Sequence, residues 1–262
     1  MQNHYDKTAV ADFLKQLNRA ATALLMLDYD GTLAPFQKDR DHAYPYPGII
    51  PILDRILQSE RTRVVVVSGR PVREIEALLA PLANLEIWGA HGLEHQLADG
   101  TYQTAEIDSG VSETLLQAEE WLRGSGFAPM AEIKAGGVAV HWRGLPASEI
   151  ERVQSRIHEG WSRFAKHPGL KLLAFDGGIE LRTTRPDKGD AIAEILKTAD
   201  ASTPAAFLGD DLTDEDGFRV LNGRGLSVLV RSEYRETQAR AWLQPPHELI
   251  DFLEQWSTMP PG

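Results

Sequence analysis

Short apolar runs recur along the first hundred residues, and two of them end abruptly in polar clusters. Ala23-Leu24-Leu25-Met26-Leu27 runs into Asp28, and Val64-Val65-Val66-Val67 runs into Ser68. Leu85-Glu86-Ile87-Trp88 reads as a third run. Runs this short and this apolar suit strands buried on both faces, as in a parallel sheet. Between them, Ile49, Ile50, Ile52, Leu53, Ile56 and Leu57 keep helical spacing. After Ser68-Gly69-Arg70, Pro71 fits the first turn of a helix whose apolar face is Ile75, Leu78 and Leu79. Strand alternating with helix implies right-handed crossovers and an open α/β sheet.

Near residue 105 the pattern changes. Ser112 to Arg123 reads as a helix with Leu115, Leu116, Ala118, Trp121 and Leu122 as apolar positions. Val138, Val140 and Trp142 alternate with Ala139, His141 and Arg143, which predicts a strand with one polar face. Ser148 followed by Glu151 reads as a capping box opening a helix to about Lys166. Leu170 to Phe175 and Gly178 to Arg182 read as strands around an Asp176-Gly177-Gly178 turn. The first pattern then resumes: a helix from Asp190 to Lys197, the run Ala205 to Leu208 ending in Gly209-Asp210-Asp211, a strand at Leu226 to Val230, and helices at Glu236 to Leu243 and Pro246 to Trp256. The expectation is a Rossmann-like α/β core with a parallel sheet and helices on both faces. The core spans 1–105 and 182–262, and a small α+β unit is inserted at 106–181.

With 262 residues the chain has room for a core domain and a smaller second one. A net charge of -11 repels polyanions, so nucleic acid is not an expected partner. The absence of cysteine excludes disulfides, zinc-thiolate sites and thiol nucleophiles. The first 22 residues lack the apolar run of a signal peptide, and no stretch has the length of a membrane span. A soluble, cytoplasmic monomer with no membrane partner is expected.

Four polar clusters fall where strands of the core should end: Asp28-Tyr29-Asp30-Gly31-Thr32, Ser68-Gly69-Arg70, Lys188-Gly189 and Gly209-Asp210-Asp211-Leu212-Thr213-Asp214. Ligands of open α/β sheets bind beyond the carboxyl ends of the strands, so these clusters can converge. A carboxylate at a strand tip, Asp28, can act as a nucleophile toward phosphorus. Asp30, two residues on, can protonate the leaving oxygen and then activate the water that breaks the aspartyl-phosphate. Asp28 and Asp210, with a backbone carbonyl near Asp30, would form a hard all-oxygen site favouring Mg2+. Asp211 and Asp214 are further candidate ligands. Ser68 and Lys188 would hold the remaining phosphate oxygens, Lys188 also shielding the carboxylates from each other.

The motifs Asp28-x-Asp30-Gly31-Thr32, Ser68, Lys188 and Gly209-Asp210-Asp211-x-x-Asp214, in that order, resemble the haloacid dehalogenase superfamily of phosphatases. Within it the chain looks most like the trehalose-6-phosphate phosphatases. The matching stretches are LDYDGTLAPF, VSGRP, GAHGLE, EIK with VAVHWR, ELR with KG, and GDDLTDEDGF. The resemblance implies hydrolysis of trehalose 6-phosphate to trehalose and phosphate, and an inserted cap that closes over the core. It further implies that Arg70, His91, Gly92, Lys134, Arg143 and Glu180 help hold the disaccharide. Departures from the family pattern stand at Phe36, Gly136-Gly137, Trp142 and Thr183. Phosphatases of sucrose phosphate, glucosylglycerol phosphate or mannosylglycerate phosphate share the aspartate machinery and remain alternatives. A non-catalytic sugar-phosphate sensor would be expected to lack one of Asp28, Asp30, Lys188 and Asp210, and all four are present.

Overall fold

The structure is a computed structural model that describes residues 8–37, 39–175 and 177–258. The chain divides into two compact units, one of residues 1–104 and 187–262 and the other of 105–186. In chain order the first unit begins with α1 (Ala9–Leu17), β1 (Ala23–Leu27), α2 (Ile49–Gln58), β2 (Thr62–Val67), α3 (Val72–Leu78), β3 (Glu86–Gly89), β4 (Glu94–Gln96) and β5 (Tyr102–Thr104). The second unit contributes α4 (Ser109–Gly124), β6 (Ala131–Lys134), β7 (Gly137–His141), α5 (Ala147–Trp161), β8 (Leu170–Phe175) and β9 (Gly178–Thr183). The chain then completes the first unit with α6 (Lys188–Lys197), β10 (Ala205–Gly209), α7 (Glu215–Leu221), β11 (Leu226–Val230), β12 (Ala241–Leu243) and α8 (His247–Ser257).

The first unit is built on a sheet of order β12-β11-β10-β1-β2-β3-β4-β5, parallel from β12 to β3 and antiparallel at β4 and β5. Its central strands are apolar throughout because both faces are covered. Leu25, Leu27, Val64, Val66, Ala206, Leu208 and Val228 pack on one side, against the buried faces of α2 and α8. Leu24, Met26, Val65, Val67, Ala205, Phe207 and Leu229 pack on the other, against α6 and α7. Each large apolar side chain buried this way contributes roughly 1.5–3 kcal/mol. Parallel register sets Leu27 beside both Leu208 and Val66, so β1, β2 and β10 end at one edge.

The second unit is an antiparallel sheet of order β6-β7-β9-β8 with helices on one face. Val138, Val140, Ile179 and Leu181 pack with Val111, Leu115, Val153, Ile157 and Trp161. Glu132, Lys134, His141 and Glu180 alternate with these apolar residues along β6, β7 and β9, and their side chains bond to one another.

Three expected elements are corrected. Residues 236–243 form no helix; they enter the extended strand β12, where Ala241 and Leu243 are buried beside β11. Ser148 is no N-cap, because α5 starts at Ala147 with Pro146 before it and without a side-chain cap; it ends at Trp161 rather than near Lys166. The expected polar face of β7 is interrupted by Ala139, which is fully buried, and Trp142 follows the strand and joins the core. Beyond these, α1 and the strands β4, β5 and β6 are additions to the expected elements. Asp176, expected in the turn between β8 and β9, lies outside the described residues.

Candidate active site

Asp28 extends the line of β1 by one residue, its amide donating to Leu208 O at 2.8 Å. Its side chain is almost fully buried. Asp210 follows the tip of β10 and is equally buried. Lys188, at the start of α6, reaches between carboxylates: Nζ donates to Asp28 Oδ1 at 2.6 Å and to Asp214 Oδ1 at 2.7 Å. The other oxygen of Asp214 accepts the amides of Asp210 at 3.0 Å and Asp211 at 2.9 Å. Helix α6 is fixed by a capping box between Asp187 and Asp190, which sets Lys188 at its first turn. Gly209 is required here, since a Cβ would come within 2.5 Å of Asp214 Cγ.

Among the described residues, oxygens of Asp28, Asp210 and Asp214 lie within 4.8 Å of one another. Burial raises the Asp28 carboxyl to about 7, and the Asp214 and Asp30 carboxylates add to the rise against the opposing Lys188 charge. Burial, then the Asp28, Asp214 and Asp211 charges, push Asp210 well above its ordinary value. Burial alone would lower the Lys188 ammonium, but Asp214 and Asp28 outweigh it and raise it. Three buried carboxylates face the buried Lys188 ammonium and, 3.9 Å from Asp210 Oδ2, the partly exposed Arg231 guanidinium, which leaves negative charge uncompensated.

That imbalance fits a hard cation. Asp210 Oδ1 is buried without a hydrogen-bond partner, an expensive state for a carboxylate oxygen unless something else binds it. The donors are all oxygen, the set that Mg2+ prefers. Gly31 holds the floor of this space: its φ is +81°, and a Cβ there would sit 2.2 Å from Asp210 Oδ2.

The other aspartates are engaged elsewhere. Asp30 lies outside β1 and pairs with Ala34 in an isolated bridge. Its carboxylate accepts two bonds from Arg70, Nε to Oδ2 at 2.6 Å and Nη2 to Oδ1 at 2.7 Å. Asp211 uses its side chain to cap the turn ending at Asp214. Neither belongs to the three-carboxylate group.

Ser68 follows β2 directly with its amide on Trp88 O at 2.8 Å, and its Oγ accepts Arg70 N at 3.1 Å, leaving the hydroxyl proton to donate. Arg70 is only 2% exposed and its third donor is on Arg40 O at 2.8 Å. The structure therefore places Arg70 on Asp30, not toward solvent. His91, in a left-handed conformation with φ 59°, lays its ring against Gly69, where a Cβ would be 2.6 Å away. Gly92 follows it, buried.

In the second unit Lys134 Nζ bonds Glu180 Oε1 at 3.2 Å and lies 3.7 Å from Glu132 Oε2, which also takes His141 Nε2 at 2.7 Å. Arg143 is exposed beside Gly177, beyond the other end of β7. Sequence reasoning passes over Glu132 and His141. The period of two that places Glu132 with Lys134, and His141 with Ala139, is the available signal.

The model of the trehalose-phosphatase family matches residues 26–245. The chain belongs to this family. One relative, the trehalose-phosphate phosphatase of Mycolicibacterium paratuberculosis, is 30% identical over 247 residues, covering 88% of this chain and 61% of its own. The chain spans about three fifths of the length of the mycobacterial relatives it matches. The C-terminal domain of C. albicans trehalose-6-phosphate phosphatase has a TM-score of 0.79 at 20% identity, covering 99% of each chain. The C-terminal domain of the Candida albicans trehalose synthase regulatory protein has a TM-score of 0.69 at 14% identity, covering 97% of this chain and 100% of that one. At these identities the likeness shows the fold alone.

Proposed function

We propose that this chain hydrolyses trehalose 6-phosphate to trehalose and phosphate, with Asp28 as nucleophile and Mg2+ as cofactor. The observation that carries the reading is the Asp28–Lys188–Asp214 chain beside the unpartnered Asp210 oxygen, in a member of the trehalose-phosphatase family. Fold likeness does not decide between enzyme and regulator, since a regulatory protein shares the fold. The retained Asp28, Asp30, Lys188 and Asp210 favour the enzyme.

Asp28, Asp210 and Asp214 would hold the cation. Bound Mg2+ supplies positive charge that lets an anionic nucleophile meet an anionic phosphoryl group. Lys188 fixes Asp28 through one oxygen and leaves the other to attack phosphorus. As that P–O bond forms, the bond to the sugar oxygen breaks, and the leaving oxygen takes a proton from Asp30. In the second half Asp30 removes a proton from water, the water oxygen bonds to phosphorus, and the bond to Asp28 breaks. Arg70 holds Asp30 at a fixed angle through both steps. Ser68 Oγ–H would donate to a phosphate oxygen. Glu132, Lys134, His141 and Glu180 offer the mixed donors and acceptors that sugar hydroxyls need, and His91, Gly92 and Arg143 are further candidates.

A phosphate-release panel over a dozen sugar phosphates, with and without EDTA, tests this. Trehalose 6-phosphate should be turned over best, EDTA should stop the reaction and added Mg2+ restore it. Preference for another disaccharide phosphate would move the substrate assignment only. Turnover indifferent to EDTA would remove the metal.

A further inference from the structure

The segment carrying Asp210 and Asp211 lies between the end of β10 at Gly209 and the start of α7 at Glu215, with a single 3-10 turn inside it. Asp214 holds its amides. Its carbonyls are held from a different direction, by Arg235 on the segment between β11 and β12. Arg235 Nη2 donates to Asp211 O at 2.8 Å and to Asp210 O at 3.3 Å, and Nε adds a contact to Asp210 O at 3.4 Å. Nη1 of the same guanidinium bonds the Glu215 carboxylate and Glu236 O. Glu215 also accepts Thr237 Oγ1 at 2.8 Å and the Gln238 amide at 2.7 Å. Arg231, which is more exposed, adds a 3.5 Å contact to Asp210 O and lies 3.9 Å from Asp210 Oδ2.

We propose that Arg235 is a positioning residue for the divalent cation: by gripping the Asp210 and Asp211 carbonyls it aims the Asp210 carboxylate into the space shared with Asp28. The inference rests on the reading that this space holds Mg2+. Mg2+ tolerates little departure from octahedral geometry, so the angle of each fixed ligand matters. Partners that orient a ligand typically change metal affinity by about 10- to 100-fold when removed. Glu215 balances the charge of Arg235, so the effect acts through orientation and not through added positive potential. A planar fork can serve two carbonyls and a carboxylate at once, whereas an ammonium cannot span them. Arg235 is mostly buried, which keeps the grip out of competing water.

The test is Mn2+ titration of EDTA-stripped protein, followed by the electron paramagnetic resonance of free Mn2+, together with the rise in Tm that Mg2+ causes. Arg235→Lys keeps the charge beside Glu215 and loses the fork. Arg235→Gln, which keeps one donor, is a second variant in case the first folds poorly. Arg224→Lys is the control, because Arg224 grips two backbone carbonyls, Thr203 O and Asp200 O, that do not belong to the Asp210–Asp211 segment. Arg235→Lys should bind Mn2+ about tenfold more weakly and lose a matching part of the Mg2+-induced rise in Tm, while Arg224→Lys keeps both. Equal binding by Arg235→Lys and wild type, or equal weakening in Arg224→Lys, overturns the inference. If the wild type binds no Mn2+, or Asp210→Asn binds it as tightly as wild type, the metal reading itself falls and takes this one with it.

Discussion

An Asp28→Asn variant should lose turnover by at least about 10⁴-fold while folding as well as the wild type, the magnitude expected when a covalent nucleophile is removed. Asparagine is nearly isosteric and its Oδ1 can still accept the Lys188 bond, so the cavity stays filled. Its amide cannot open the first half-reaction. Stability should move the other way from activity. Asp28 is a buried carboxyl raised to about 7, from a starting value of 3.8, by burial and by neighbouring carboxylates. A group whose pKa is higher folded than unfolded contributes stability below its unfolded value and loses it as pH rises through the folded one. For metal-free wild type, Asp28 therefore costs stability between about pH 4 and pH 7. The substituted amide has no such titration, so the metal-free variant should lose less Tm over that range. Phosphate release, acid-quench trapping of the phosphoenzyme and melting curves in EDTA measure all of this. Turnover within tenfold of wild type would remove Asp28 as nucleophile, and parallel Tm–pH curves would contradict its buried titration.

Much of this site is written in the sequence because its carboxylates stand at strand tips. Leu24 to Leu27 and Val64 to Val67 are short, wholly apolar runs that suit strands covered on both faces, and Asp28 and Ser68 follow them directly. Asp210 follows Ala205 to Gly209 in the same way. What was not legible depends on partners that carry no sequence pattern. Arg235 grips main-chain carbonyls, and any residue at 210 or 211 would present those. Arg70 follows a phosphate-type motif, yet its place is set by Asp30, 40 residues away in sequence. The stretch from Glu236 to Leu243 is rich in helix formers, but Ala239, Ala241 and Leu243 also alternate, and the open edge of β11 supplied the main-chain partners that favoured extension. In α1 the spacing of Ala9, Phe13 and Leu17 was a helical signal obscured by the polar residues between them.

Lys188→Met should be the most destabilising single change at the site. The methionine keeps much of the apolar stem and removes the charge, which separates electrostatics from packing. Lys188 is almost fully buried and joins two carboxylates that have no other cation within bonding distance among the described residues. Breaking a buried pair by removing one partner typically costs about 3–5 kcal/mol, because the remaining charge stays buried and unpaired. In a chain of this size that is a fall in Tm on the order of 10 °C. Here Asp28, Asp210 and Asp214 would face one another without the ammonium that separates Asp28 from Asp214, and the nearest guanidinium, Arg231, reaches only Asp210, at 3.9 Å. The penalty exists only while they are ionised, so the gap to wild type should narrow as pH falls toward the ordinary carboxylate range. It should also narrow in Mg2+, which neutralises the same group. Turnover should stay low under both conditions, since Asp28 loses the contact that orients it. A Tm deficit indifferent to both pH and Mg2+ would make Lys188 a packing residue, and the charge balance assigned to the site would be wrong.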